Sequence, residues 1–188
     1  MAKRTFTRAF TRTIEAGLLG LMALGLAACA TDEGPPPPCP EIRILGGAEK
    51  LTRFRPGNGR DIIDVVHEEQ MTGFGGACQY EYEDDGSAEL TVLIAPQILS
   101  ERGPANAKGK SSFEYFIALT DSSKNIIKRD TFSVDLTYTA SVPRLAWQRT
   151  EPYEVTLALK PGETGQTYRF YLGLKLTRDE LQYQLKNR

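Results

Sequence analysis

The side chains best placed for chemistry are three arginines. In Lys50-Leu51-Thr52-Arg53-Phe54-Arg55, strand alternation would set Arg53 and Arg55 on one wet face flanking a buried Phe54, with Arg60 following after a turn. Two guanidiniums on one face could hold an acidic partner, a lipid headgroup phosphate or a peptidoglycan carboxylate. The plainer alternative is a solvated face with Arg60 paired to a local acid. Arg53, Arg55 and Arg60 are therefore the candidate partner-binding residues.

Catalytic chemistry finds less support. The chain has one histidine, His67, which alternates with Val65 on a predicted strand and reads as structural. Nucleophilic catalysis needs a base beside the nucleophile, and no G-x-S-x-G elbow is present. Zinc signatures need several Cys or His at set spacings, which are absent. Asp61 with Asp64, Glu68 with Glu69, and Asp84 with Asp85 offer paired carboxylates, but glycosidases need such groups at a defined separation that adjacency does not establish. Glu83-Asp84-Asp85-Gly86-Ser87 lacks the spacing and terminal Glu of an EF-hand. Gly73-Phe74-Gly75-Gly76 is followed by no Lys-Ser/Thr and opens no helix, so it reads as a turn or bulge between strands. The expectation is a protein that is not an enzyme and takes no cofactor and no metal.

The elements that must position these residues are strands. Cys78, Tyr80 and Tyr82 share one face against Gln79, Glu81 and Glu83. Leu90, Val92 and Ile94 alternate likewise, as do Phe132 to Tyr138, Tyr153 to Leu159 and Tyr168 to Leu176. Turn residues separate Leu51–Phe54 from an expected strand at Ile62–Val66 through Pro56-Gly57-Asn58-Gly59. Asp84-Asp85-Gly86, residues 121–125 and Pro161-Gly162-Glu163-Thr164-Gly165 provide the other tight connections. Residues 100–110 read as a mobile surface loop. Phe113-Glu114-Tyr115-Phe116-Ile117 is apolar on both faces, as in a central strand or one covered by a partner or the terminal helix. Thr177-Arg178-Asp179-Glu180 has the form of a capping box, after which Leu181 and Leu185 fall on one helical face suited to packing on the sandwich edge. The fold class expected is all-β: an immunoglobulin-like or fibronectin-type antiparallel β-sandwich with a short C-terminal helix.

The N-terminus carries an address. Lys3, Arg4, Arg8 and Arg12 precede an apolar run from Ala16 to Ala28, interrupted at its approach only by Glu15 and too short to span a bilayer. It ends in Leu26-Ala27-Ala28-Cys29, which resembles the lipobox of bacterial lipoproteins, where the cysteine is acylated and becomes the first residue. That resemblance implies lipidation at Cys29, anchoring a chain with no need of a transmembrane helix. Ala30 follows the cysteine where Asp would resemble an inner-membrane retention signal, so the expected location is the outer membrane, periplasmic face. Residues 29–40 include four consecutive prolines, a stiff extended tether. Residues 41–188 then form a single domain. With Cys29 acylated, Cys39 and Cys78 remain as an even pair in an oxidising compartment and read as a disulfide closing a loop of about 40 residues, worth ~4 kcal/mol of chain entropy.

Composition sets the outer bounds. The 188 residues are 40% hydrophobic and 25% charged, enough for one domain with a core. Their 23 basic and 24 acidic side chains leave a net charge of −1. Loss of residues 1–28 would remove four of those basic and one of the acidic groups, leaving −4, and no basic excess points to nucleic acid. With Leu26–Cys29, Cys39-Pro40, Leu51-Thr52-Arg53-Phe54, Pro56-Gly57, Arg60-Asp61, Asp64-Val65, Cys78 and Leu174-Lys175-Leu176-Thr177, the chain resembles a group of small lipoproteins of alphaproteobacteria. The resemblance implies no activity and no catalytic residue. The function expected is that of a lipid-anchored accessory or scaffold binding another envelope component, with an envelope protein as the expected partner. The alternative is a carrier or sensor of a small apolar or glycan ligand, and a carboxylate-based hydrolase is a third reading.

Overall fold

Residues that alternate apolar and polar bury one side of a strand and wet the other, and two such sheets laid face to face share one core. The computed structural model describes residues 37–187 and realises this plan in nine strands among them. The strands are β1 (Glu41–Ile44), β2 (Lys50–Phe54), β3 (Val65–Tyr82), β4 (Ala88–Arg102), β5 (Lys110–Thr120), β6 (Ile126–Thr137), β7 (Arg144–Gln148), β8 (Tyr153–Leu159) and β9 (Arg169–Leu174). One helix, α1 (Arg178–Lys186), follows them. The signal peptide assigned to residues 1–28 and the lipidation site Cys29 lie outside the described residues.

The protein is mostly β, built as two sheets in a sandwich-like arrangement with a short C-terminal helix. One sheet has the order β1-β9-β5-β6, and the other runs β2-β3-β4-β7 with β8 also paired to β4. The facing sides supply the core: Leu90, Val92, Ile94 and Ile98 of β4 meet Tyr115 and Ile117 of β5 and Phe170 and Leu172 of β9. Each such side chain, fully buried, contributes roughly 1.5–3 kcal/mol relative to exposure. The expectation of a wholly antiparallel sandwich needs one correction, since β1 pairs β9 in parallel, Glu41 with Arg169 through Ile44 with Leu172. A strand of four residues joined to the rest by a long excursion is free to run either way, and its direction is invisible in its own sequence.

β4 is the strand around which the larger sheet is organised. It pairs β3 along its whole length, β8 over Ala88–Ile94 and β7 over Gln97–Glu101. Pro96, which has no N–H to donate, sits where β8 has ended and β7 has not begun. Opposite it, Gly73-Phe74-Gly75-Gly76 lies within β3 rather than between two strands. The register slips between Met71 and Gly73, so the expected bulge exists but inside one continuous strand.

Three other expectations change. Ile62–Asp64 forms a 3-10 turn capped by Asp61, with both isoleucines exposed, and the strand begins at Val65. Strand β4 runs on to Arg102, leaving residues 103–109 as the loop. That loop closes around a buried Asn106, whose Nδ2 donates to the Lys110 carbonyl at 2.9 Å and whose Oδ1 accepts from the Gly109 N–H at 2.9 Å. It is a held turn, not a free surface segment. The third concerns α1. Its capping box forms as read from Thr177 and Glu180. However, Leu181 and Leu185 stay out of the core, 39% and 53% exposed, while Gln184 is buried.

Cys39 and Cys78 are disulfide-bonded, with their Cα atoms 5.8 Å apart. The bridge ties the chain entering β1 in one sheet to β3 in the other. Nearby, the Tyr80 hydroxyl donates to the Pro38 carbonyl and accepts from the Gly165 N–H, both at 2.8 Å.

Candidate functional site

The helix α1 separates two recesses of opposite character. Its polar side lies against β2. Glu180 accepts from Arg53 Nε at 3.2 Å, Gln184 donates to the Thr52 hydroxyl at 3.2 Å, and Tyr183 meets Phe54 edge-to-face with centroids 5.0 Å apart. The recess on that side, about 240 Å³, is lined by Arg53, Arg55 and Arg60 together with Phe54 and Tyr183. The three arginines singled out in the sequence are therefore neighbours in space.

Their charges are largely satisfied within the chain. Arg53 pairs with Glu180 and also donates to the Ser112 carbonyl at 2.9 Å. Arg55, which follows the end of β2, pairs with the buried Asp64 at 2.5 Å. Arg60 donates to the carbonyls of Gly57 and Gly59 and lies over the Phe54 ring, 5.2 Å from its centroid. Both guanidiniums of the expected pair, Arg53 and Arg55, are thus engaged by carboxylates of the chain. Arg53 and Arg55 hold a helix and a 3-10 turn in place, with the Arg55 side chain 59% exposed.

The opposite side of α1 borders an apolar groove of about 440 Å³ on the outer face of the smaller sheet. Its floor explains the doubly apolar sequence around Phe116. β5 is central between β9 and β6, so its inward residues Tyr115 and Ile117 enter the sandwich core. Its outward residues Phe116 and Ala118 form a second buried cluster with Ala48, against which Tyr171 packs. Gly173 makes that cluster possible: a Cβ there would lie 2.8 Å from both the Ala48 Cβ and the Phe116 Cζ. The chain around Ala48 can thus lie flat on the sheet, held by Leu45 N–H to the Leu172 carbonyl and Leu174 N–H to the Ala48 carbonyl, each 2.7 Å. Leu45, Leu176, Leu181 and Ile126 form the walls and rim. Two cations complete it. Lys175 pairs with Glu114 at 2.9 Å, whereas Arg129 lies on the Phe116 ring, 4.3 Å from its centroid.

A third concentration of polar groups is buried inside the sandwich. Glu69 is fully buried, and both of its oxygens lie 2.8 Å from His67 Nδ1. Its Oε1 also accepts from the hydroxyls of Ser100 at 2.9 Å and Ser111 at 2.7 Å. Since Ser100 donates to Glu69, it accepts from the Tyr138 hydroxyl at 2.6 Å. Burial raises the Tyr138 pKa despite that hydrogen bond. A serine, histidine and carboxylate in contact suggest a triad, but the arrangement differs. Ser111 approaches the same ring nitrogen that faces the carboxylate, 3.5 Å away, whereas activation of a nucleophile would place it on the other nitrogen. The cluster satisfies buried groups with one another.

The carboxylate pairs do not converge. Glu68 and Glu69 point to opposite sides of β3, with Glu68 accepting from the Thr52 hydroxyl at 2.8 Å. Asp61 and Asp64 cap the 3-10 turn, and Asp85 ties its own hairpin through Ser87. Arg129 and Leu181 were missed as site residues. The signal available was the both-faced apolarity of β5, which has meaning only once the strand on each side is known.

No family model matches the chain, and no curated protein matches it. Among solved structures, the chain is similar to the variable domain of the AgI/II polypeptide BspA from Streptococcus agalactiae, with 13% identity, covering 67% of this chain and 72% of that one. The TM-score is 0.25, and a likeness that distant carries no argument about fold or function.

Proposed function

We propose that this protein is a non-enzymatic lipoprotein, acylated on Cys29 and held at the periplasmic face of the outer membrane, whose domain works by binding a small apolar ligand in the groove beside α1. The observation that carries the reading is the groove itself. A two-sheet protein ordinarily wets its outer faces, yet Phe116, Ala118 and Tyr171 give this one an apolar floor under a cavity within the size range of ligand sites, ~300–1,000 Å³. Anchoring would confine the domain near hydrophobic cargo and raise its effective concentration there. The finer fold assignment, immunoglobulin-like or fibronectin-type, belongs to the same proposal and is supported by two mainly antiparallel sheets enclosing one core.

The test uses the full chain with Cys29→Ala, free of detergent, and a neutral environment-sensitive dye such as N-phenyl-1-naphthylamine. Saturable, blue-shifted emission is expected, and Ala118→Trp, which fills the groove, abolishes it. Absence of binding by the parent chain, or equal binding by the filled variant, overturns the reading. The anchor is tested separately: Cys29→Ala should release the protein from membranes and eliminate palmitate labelling, and retention with label would refute acylation at that residue.

A second reading, a scaffold for another envelope protein, is favoured by the outward-facing Leu181 and Leu185. A photo-crosslinking residue at Leu185 in the anchored protein would trap one envelope protein on that reading, and the product would vanish when Leu181→Asp is added. A crosslink unaffected by that change would place the partner elsewhere.

A further inference from the structure

We propose that the groove takes a long-chain carboxylate, a single acyl chain whose anionic head is read by Arg129. This inference rests on the groove being a ligand site and adds the chemical class of the ligand. The lining carries two cations with different standing. Lys175 is already neutralised by Glu114, at 2.9 Å. Arg129 has no carboxylate partner and no side-chain hydrogen bond among the described residues, and its only ring contact is with Phe116. The adjacent Asp130 does not serve it, being engaged by the Tyr153 hydroxyl and by Lys128 at 3.5 Å.

The position of Arg129 follows from register. It pairs with Ala118 across β5 and β6, so the two side chains emerge on the same, outer face of the sheet. The guanidinium is thus laid flat on an aromatic ring at one border of an apolar floor, with its edge donors left for a planar acceptor. A carboxylate meets such a fork with two parallel charge-assisted hydrogen bonds. One unneutralised cation matches one negative charge. A neutral ligand would leave the cation unused, and a cationic amphiphile would meet repulsion.

The volume sets the rest of the molecule. Taking roughly 30 Å³ per group, the share of a water molecule in the liquid, a cavity of about 440 Å³ holds about fifteen methylene-sized groups. That suits one acyl chain. The apolar residues run from Phe116 and Ala118 at the head towards Leu176 and Leu181 beside α1, and the outward leucine of the helix becomes a wall for the tail.

The experiment measures binding of laurate, methyl laurate and dodecylammonium, below their micellar concentrations, to the full chain with Cys29→Ala. Laurate is expected to bind at least tenfold more tightly than its methyl ester, a difference of about 1.4 kcal/mol, with dodecylammonium weaker than both. Arg129→Gln should abolish the preference for laurate over the ester. Leu181→Asp, at an exposed position that the core does not need, should weaken both. Equal binding of laurate and its ester, or a preference that survives Arg129→Gln, overturns the head-group assignment while leaving the apolar site intact. Failure of all three ligands to bind would overturn both.

Discussion

Replacing Glu69 by alanine should be among the most damaging single changes to this fold, although Glu69 is an acid on a strand of a β domain. Its carboxylate is fully buried and accepts from His67 Nδ1–H, the Ser100 hydroxyl and the Ser111 hydroxyl. Alanine would leave three donors in the interior without their acceptor and detach the Tyr138–Ser100 hydrogen bond from its anchor. An orphaned buried donor costs roughly 1–3 kcal/mol, so three of them together cost several kcal/mol. Taking about 4 kcal/mol, the midpoint of thermal unfolding should fall by about 12 °C for a domain of this size. Glu69→Gln provides the contrast. Its Oε1 can still accept from both serines, and His67 can present an unprotonated Nδ1 to the new amide, so the loss should be about 1 kcal/mol. The assay is urea unfolding of the two variants beside the parent, with a common slope confirming an unchanged unfolded state. A loss below about 1 kcal/mol for Glu69→Ala would refute the reasoning. It would mean that the donors find other partners and that the network is dispensable to stability.

Other consequences are equally open to measurement. Removing the Cys39–Cys78 bridge by paired alanines should cost ~4 kcal/mol on the chain-entropy estimate, read as a lower urea midpoint, with amide exchange accelerating first in β1, which holds on through only four residues. Gly173→Val should cost about 1–3 kcal/mol by overpacking, because its side chain would enter space held by Ala48 and Phe116, and should diminish dye binding in the groove as well. Burial, with a contribution from the hydrogen bond to Asp130, raises the Tyr153 pKa well above its ordinary value near 10. The folded state therefore holds that proton more tightly than the unfolded chain does. The resulting stability is complete below about pH 10 and is lost as pH rises towards the folded-state value. Tyr153→Phe should consequently flatten the fall in stability between pH 9 and 11 without abolishing it, since burial also raises Tyr115 and Tyr138. An unchanged alkaline slope would show that Tyr153 does not contribute to it.

Much of the fold is written locally. Period-two patterns mark β4, β6 and β8 because a strand half buried against a core needs only its own alternation to announce itself. The hairpin at Asp84-Asp85-Gly86 and the capping box at Thr177 and Glu180 are equally local, formed by side chains that bond to backbone two or three residues away. The Cys39–Cys78 pairing was legible as well, because removing Cys29 from consideration leaves one pair. Spacing could also bring Arg53, Arg55 and Arg60 near one another, but not reveal that Glu180 and Asp64 would neutralise two of them from afar in sequence or across a turn.

What tertiary structure decided is everything that depends on which surfaces meet. The leucine spacing of α1 favours burial of Leu181 and Leu185, yet the helix docks through Glu180, Tyr183 and Gln184, because β2 presents Arg53, Phe54 and Thr52 at that edge. The direction of β1, the buried meeting of Glu69 with Ser100 and Ser111, and the apolar groove are likewise products of strand order. Alternation says that a residue points to one side of its sheet. Only the assembled sheets determine whether that side meets the core, another element, or the open groove where Arg129 lies beside Phe116.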